Sequence, residues 1–163
     1  MTNPHSDPQA LAEKVGAAMW SRDRATQALA MQLVRIQPGQ ALVTMPVTAD
    51  MLNGHQTCHG GYIFTLADTA FAYACNSHNQ NTVGAACHID YLAPAHEGAI
   101  LEAEGVERSL AGRTGVYDVT VRVRGGKTVA LFRGKSYRVS GEVIAAAPQA
   151  EHHHQSTFQQ ENP

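Results

Sequence analysis

Much of what this 163-residue chain lacks narrows what it can be. Its three cysteines, Cys58, Cys75 and Cys87, cannot make an even disulfide framework, so a reduced, cytoplasmic setting is expected. No apolar run reaches the ~18 residues of a membrane-spanning helix, and the polar stretch from Met1 to Ala10 does not read as a signal peptide. No internal repeat is present. A formal charge of -2 by itself names no partner. The chain is long enough for one domain with a single core.

A further absence is local and says more. Between His59 and Cys75 the only charged residue is Asp68, in a segment that otherwise reads GGYIFTLADTAFAYAC. A helix that is apolar all round is normally buried, and an ionised carboxylate there is costly unless it is paired or hydrogen-bonded. The segment therefore points to a carboxylate with chemical work to do.

The rest of the chain supplies a setting for that helix. Leu11–Leu29 has helical periodicity, with Leu11, Val15, Ala18 and Met19 on one side. Strands are expected over 31–37 and 40–47, split by the turn dipeptide Pro38-Gly39, and Thr48–Thr57 reads as a loop with one helical turn. After the apolar helix (59–77) the pattern is β: 82–92, 99–109, 113–124 and 127–139. Tyr117, Val119, Val121 and Val123 alternate with polar residues, and Gly125-Gly126 forms a hairpin turn. The fold expected is α+β, a long helix wrapped by a curved antiparallel sheet of five or six strands. The domain spans 11–141, with flexible ends at 1–10 and 142–163.

Charge is unevenly spread. Between Arg108 and Arg138 eight basic residues face one acid, Asp118, which marks a region that attracts phosphates. The basic residues lie on alternating strands without interleaved aromatics, so nucleic acid is not the expected partner.

Gly60-Gly61 opens the helix. Free N–H groups and a partial positive charge gather at a helix N-terminus, and glycine lets a substrate oxygen approach the backbone. The pair reads either as an oxyanion hole for a carbonyl or as a means of tight loop packing. Asp68 reads either as base or nucleophile, or as a structural carboxylate. If Gly60 and Asp68 act together, spacing sets a condition. Eight residues along one helix is about 12 Å, too far for both to reach one carbonyl, so they must come from different subunits across a two-fold axis. Asn53 and His59 flank the approach, Asn53 to orient water or carbonyl and His59 to bind substrate or hold the loop. A zinc site from His55, Cys58 and His59 lacks a standard spacing and a fourth ligand, and Cys58 lacks triad partners. His152–His154 belong to the expected tail.

The segment NGHQTCHGGYIFTLADTAFAYACNS, followed by IDYLAPA (89–95), GRTGVYDVTV (112–121) and KTVALFRGKSYR (127–138), resembles the hot-dog-fold acyl-CoA thioesterases of the phenylacetate-degradation subfamily. The resemblance runs from about Leu11 to Gly141. It implies hydrolysis of phenylacetyl-CoA and its ring-hydroxylated relatives, no cofactor beyond the coenzyme A of the substrate, and a tetramer built as a dimer of dimers. It assigns Asp68 as general base or nucleophile, Gly60 as backbone donor to the thioester oxygen from the opposite subunit, and Asn53 and His59 as supporting polar groups. Gly61, Phe64, Thr69, Phe71, Arg133, Gly134 and Lys135 are the expected substrate contacts: Phe64 and Phe71, with Tyr73, beside the acyl group, and Arg133 and Lys135 near the adenosine phosphates. Where some relatives carry a Ser or Thr to hold water, residues 84–87 read GAAC, leaving Thr69 as a weak substitute. The alternatives are a thioesterase for other aryl or medium-chain acyl-CoAs and a non-catalytic acyl-CoA-binding protein. A hydratase would be expected to add a His just after Asp68, and 69–75 contain none.

Overall fold

The computed structural model describes residues 7–145. A 13-residue helix, α1 (Pro8–Trp20), starts the described chain. It begins three residues before the expected Leu11, because the Asp7 side chain accepts the Gln9 N–H and Pro8 occupies the first turn. The expected single helix 11–29 is instead two. After Ser21–Asp23 the Asp23 carboxylate accepts the Thr26 N–H at 3.1 Å and starts a separate short helix, α2 (Arg24–Ala28). A side-chain cap has won over continuation of the first helix.

The strands are β1 (Gln32–Gln37) and β2 (Gln40–Pro46) before the central helix, and β3 (Thr82–Tyr91), β4 (Ile100–Ala111), β5 (Thr114–Val123) and β6 (Thr128–Arg138) after it. The central helix, α3, spans Gly60–Asn76. The expected loop turn is a short 3-10 segment, Ala49–Met51. All pairings are antiparallel, in one six-stranded sheet of order β1-β2-β4-β5-β6-β3. The sheet curls around α3, whose Leu66, Ala67, Ala70 and Ala74 are fully buried against Val43, Met45, Leu101, Ala103, Val119 and Val121. This is the hot-dog arrangement. Alternation explains which strand residues reach the core: on β5, Tyr117, Val119 and Val121 point inward while the residues between them face out.

β3 behaves differently. It closes the sheet on one side, pairs only with β6 among the described residues, and is exposed along nearly its whole length. Val83 and Tyr91 on it are each about half exposed. An edge this long and apolar is a template for pairing with another strand.

The chain remains attached past the expected boundary at Gly141. Ile144 and Asn79 exchange two hydrogen bonds of 2.9 and 3.1 Å, and Arg22 reaches the Val143 carbonyl. Met1–Ser6 and the tail from 146, with His152–His154, lie outside the described residues. Among the described residues no helix is long and apolar enough to cross a membrane.

Candidate active site

The loop before α3 is built around Asn53. Its side-chain oxygen accepts the His55 N–H, the Thr57 N–H and the Thr57 hydroxyl, at 2.9 to 3.3 Å. The oxygen is therefore committed to the loop, which leaves the amide NH2 as the group Asn53 can offer a ligand. The His59 and Cys58 N–H groups donate to Met51 and Ala95, each at 2.8 Å. His59 is the N-cap of α3, with Nδ1 accepting the Gly61 N–H at 2.9 Å. That bond requires a lone pair on Nδ1, so the ring proton sits on Nε2. The Gly60 N–H finds no acceptor among the described residues. Of the glycine pair, Gly60 is the one with a donor to spare. It lines a cavity of about 440 Å3 with Asn53, Cys58, Ile63, Tyr91 and Leu92.

The cap carries a stability prediction. His59→Ala is expected to cost about 1 kcal/mol, and His59→Asn, which restores a cap acceptor, to recover most of it. Urea denaturation followed by circular dichroism gives both values, and an unchanged midpoint in the alanine variant would contradict the cap.

Asp68 lies in a second cavity, of about 460 Å3, between α3 and β3. Phe64, Asp68, Phe71, Ala72 and Cys75 supply the helical wall, following the 3.6-residue repeat, and residues 82–87 of β3 supply the other. Phe64 and Phe71 both pack on Phe132, with ring centroids 5.5 and 5.8 Å away. No hydrogen bond or cation among the described residues compensates the carboxylate, and burial raises the Asp68 pKa. The sequence left open whether desolvation or a donor would dominate; on the single chain it is desolvation. The same burial, with the Asp68 charge as a lesser cause, raises the Cys87 thiol and takes Cys75 up to about 12. Cys58 is raised by burial as well. All three thiols are thus neutral at pH 7, and Asp68 is the one carboxylate lining its cavity.

The other expected contacts fall in different places. Gly61 lines a separate depression with Leu29, His59, Tyr62 and Thr65. The Thr69 hydroxyl donates back to the Thr65 carbonyl at 2.8 Å and does not line the Asp68 cavity. Tyr73 is core: two residues from Phe71 is about 200° around a helix, and its hydroxyl reaches Asp23 at 3.3 Å. Gly134 faces inward, where a methyl group would meet the Phe71 ring at 2.8 to 2.9 Å. Its place is to admit that ring. Arg133 and Lys135 point outward from β6, as alternation requires, and Arg133 makes two bonds of 2.7 and 2.9 Å to Asp118. Asp118 also holds Arg108, and Arg122 and Arg124 pair with Glu102. Among the described residues no three His, Cys, Asp or Glu side chains gather as a metal requires. Residues 84–87, noted in the sequence for lacking a hydroxyl, are part of the β3 wall of the Asp68 cavity. Tyr91, whose hydroxyl donates to the Gly60 carbonyl at 2.9 Å, was not singled out from the sequence. Tyr91 lies 31 residues from Gly60, and no local pattern links them.

A long helix wrapped by one six-stranded antiparallel sheet is the architecture of the hot-dog class of proteins. The comparisons agree. Residues 55–130 match the family model for the thioesterase superfamily. The chain is 50% identical over 130 residues to the acyl-coenzyme A thioesterase PaaI of Escherichia coli, covering 80% of this chain and 93% of that protein. The solved structure of the E. coli PaaI protein from the phenylacetic acid degradation operon superposes with a TM-score of 0.82 at 48% identity, over 83% of this chain and 99% of that one. A Streptococcus mutans protein solved with acetyl-CoA bound superposes at 0.66 with 28% identity, over 69% of this chain and 90% of that one. The chain belongs to the thioesterase superfamily and is a thioester hydrolase.

Proposed function

We propose that the chain hydrolyses acyl-CoA thioesters, with phenylacetyl-CoA and its ring-hydroxylated relatives as substrates, in aerobic phenylacetate catabolism in the cytoplasm. The observation that carries this is the division of the site: a carboxylate without a partner in an aromatic-walled cavity, and an amide donor without an acceptor in another. Neither half is complete alone. Antiparallel pairing of two β3 edges would set two α3 helices side by side in opposite directions, so that the Asp68 cavity of each subunit meets the Gly60 donor of the other. The thioester carbonyl then accepts from one subunit's Gly60, with the Asn53 amide beside it. On one route, Asp68 of the other takes a proton from attacking water; collapse of the adduct breaks the C–S bond and releases the CoA thiolate, which takes up that proton. On the other, Asp68 attacks the carbonyl itself and the thiolate leaves. Water then opens the mixed anhydride to the free acid, supplying the thiol's proton. Water is the only co-reactant.

Phe64 and Phe71 line the Asp68 cavity and offer an aryl group aromatic edge contacts. The nucleotide end lies outside, where Lys135 and Arg133 are exposed; Asp118 already shares the Arg133 charge, so the phosphate contribution is modest and salt-sensitive. The cross-strand ion pairs of the basic region weaken any case for nucleic acid. Two such dimers form the expected tetramer.

The test is release of free thiol from phenylacetyl-CoA, 4-hydroxyphenylacetyl-CoA, benzoyl-CoA, hexanoyl-CoA and acetyl-CoA. The arylacetyl thioesters are expected to show the highest kcat/KM, by about tenfold or more over the aliphatic ones, the scale of one or two methylene contacts in an apolar pocket. Preference for hexanoyl-CoA would move the assignment to medium-chain substrates, and turnover of none would leave a binding protein.

A further inference from the structure

We infer that Tyr91 is a positioning residue for the Gly60 amide, acting with His59 as a clamp on the peptide unit that joins Gly60 to Gly61. The inference rests on the reading of Gly60 as the carbonyl donor.

The geometry is specific. The Gly61 N–H of that peptide unit is held by His59 Nδ1 at 2.9 Å. Its Gly60 carbonyl is held by the Tyr91 hydroxyl, also at 2.9 Å. One plane is thus fixed at both of its polar ends, by groups from the helix start and from the edge strand. The free N–H belongs to the preceding peptide unit, and the torsions that turn it relative to the fixed plane are those of Gly60. Glycine leaves those torsions open. The plane that carries the free N–H is held at its other end, where the His59 carbonyl accepts the Tyr62 N–H at 3.0 Å. Pinning the following plane as well removes much of the remaining freedom.

The Tyr91 ring adds a second constraint. A methyl group on Gly60 would lie 3.1 to 3.2 Å from its Cζ, Cε1 and Oη atoms. The ring occupies the place of a side chain over Gly60, and it also lines the cavity there. It does so although half of Tyr91 is exposed, so its bond to Gly60, rather than core packing, holds it. Burial raises the Tyr91 pKa above its ordinary value, which keeps the hydroxyl a donor through neutral and mildly alkaline pH. Tyr91 ends β3, the strand proposed to join the subunits. Dimer formation and donor orientation therefore share one element, and a preorganised donor is worth more than the same donor left to rotate.

Tyr91→Phe removes the hydrogen bond and keeps the ring. It is expected to lower kcat for phenylacetyl-CoA about three- to tenfold, the range of one net hydrogen bond, with KM within about twofold and an unchanged melting temperature. A merely structural role would move the melting temperature instead. A double-mutant cycle tests the ring. Gly60→Ala is expected to lose activity in the wild-type background, and to cost little further when Tyr91 is already alanine. Wild-type kcat in Tyr91→Phe, or strict additivity in the cycle, would overturn the clamp. Asp68→Asn assayed in parallel separates the two levels. If it is inactive while Tyr91→Phe is normal, the clamp alone fails. If it hydrolyses at the wild-type rate, the reading of the site fails and takes the clamp with it.

Discussion

Asp68→Asn is expected to lower kcat for thioester hydrolysis about 10²- to 10⁴-fold, the range that a positioned acid or base contributes. The substitution keeps volume and shape, so the loss reports the carboxylate alone. The same change should not destabilise the protein. Burial raises the Asp68 pKa in the folded chain, with no donor or cation among the described residues to offset it. A carboxyl with a raised folded pKa costs no stability when protonated in both states, below its unfolded value. As pH rises through the folded value the unfolded state ionises more readily, and stability falls. Above the folded value that penalty is present in full, and asparagine removes it. The variant should therefore melt at or above the wild-type temperature at pH 7, and the difference should vanish at low pH. The raised pKa also sets the activity profile: the acidic limb of kcat/KM in the wild type should lie above the ordinary carboxylate range, and the residual rate of the variant should lack that limb. A fully active variant, or one that melts lower at pH 7 but not at pH 4, would show that Asp68 has a structural role instead.

Where sequence reading succeeded, the signal was periodic and belonged to one element. The central helix was expected over 59–77 and spans Gly60–Asn76, because His59 and Ser77 are its caps and everything between suits a buried helix. The wall of the Asp68 cavity follows from the same repeat, since Phe64, Asp68, Phe71 and Cys75 share a face. The failures involve partners distant in sequence. Read along the chain, residues 108–138 are strongly basic. In the sheet, Arg122 stands opposite Glu102 and Arg133 opposite Asp118, so much of that charge is answered across strands. Gly134 sits between two cationic residues in sequence, but the pleat turns it to the other face, under Phe71. Parity along β6 held that information; its neighbours obscured it. The break at Ser21–Asp23 turned on one side-chain cap inside an otherwise helical pattern. Tyr91 was out of reach of any window, because its contact with Gly60 exists only once β3 has paired beside the helix start.

The second large effect is expected from mixing two inactive proteins. Subunits carrying Asp68→Asn lack the carboxylate but keep the donor. Subunits carrying Gly60→Val keep the carboxylate but lose the donor position, since any side chain there runs into the Tyr91 ring. Each homodimer should be inactive. In a mixed dimer with a cross-subunit site, one of the two sites combines both damaged halves and the other combines both intact halves. Random exchange of equal amounts makes half the dimers mixed, so about a quarter of wild-type activity should return. If Asp68 and Gly60 served one substrate within a subunit, every site in the mixture would stay damaged and nothing would return. Two observations favour recovery. The residues are about 12 Å apart along a straight helix, and the described chain places them in separate cavities with different linings. Exchange must be verified by mass before the assay, for instance with one subunit carrying an affinity tag. No recovery in a preparation shown to be mixed would return both residues to one chain, and the unpaired β3 edge would then lose its connection with catalysis. Recovery near a quarter would tie the chemistry of Asp68 to assembly, since its cavity would then gain a carbonyl donor only when a second copy supplies one.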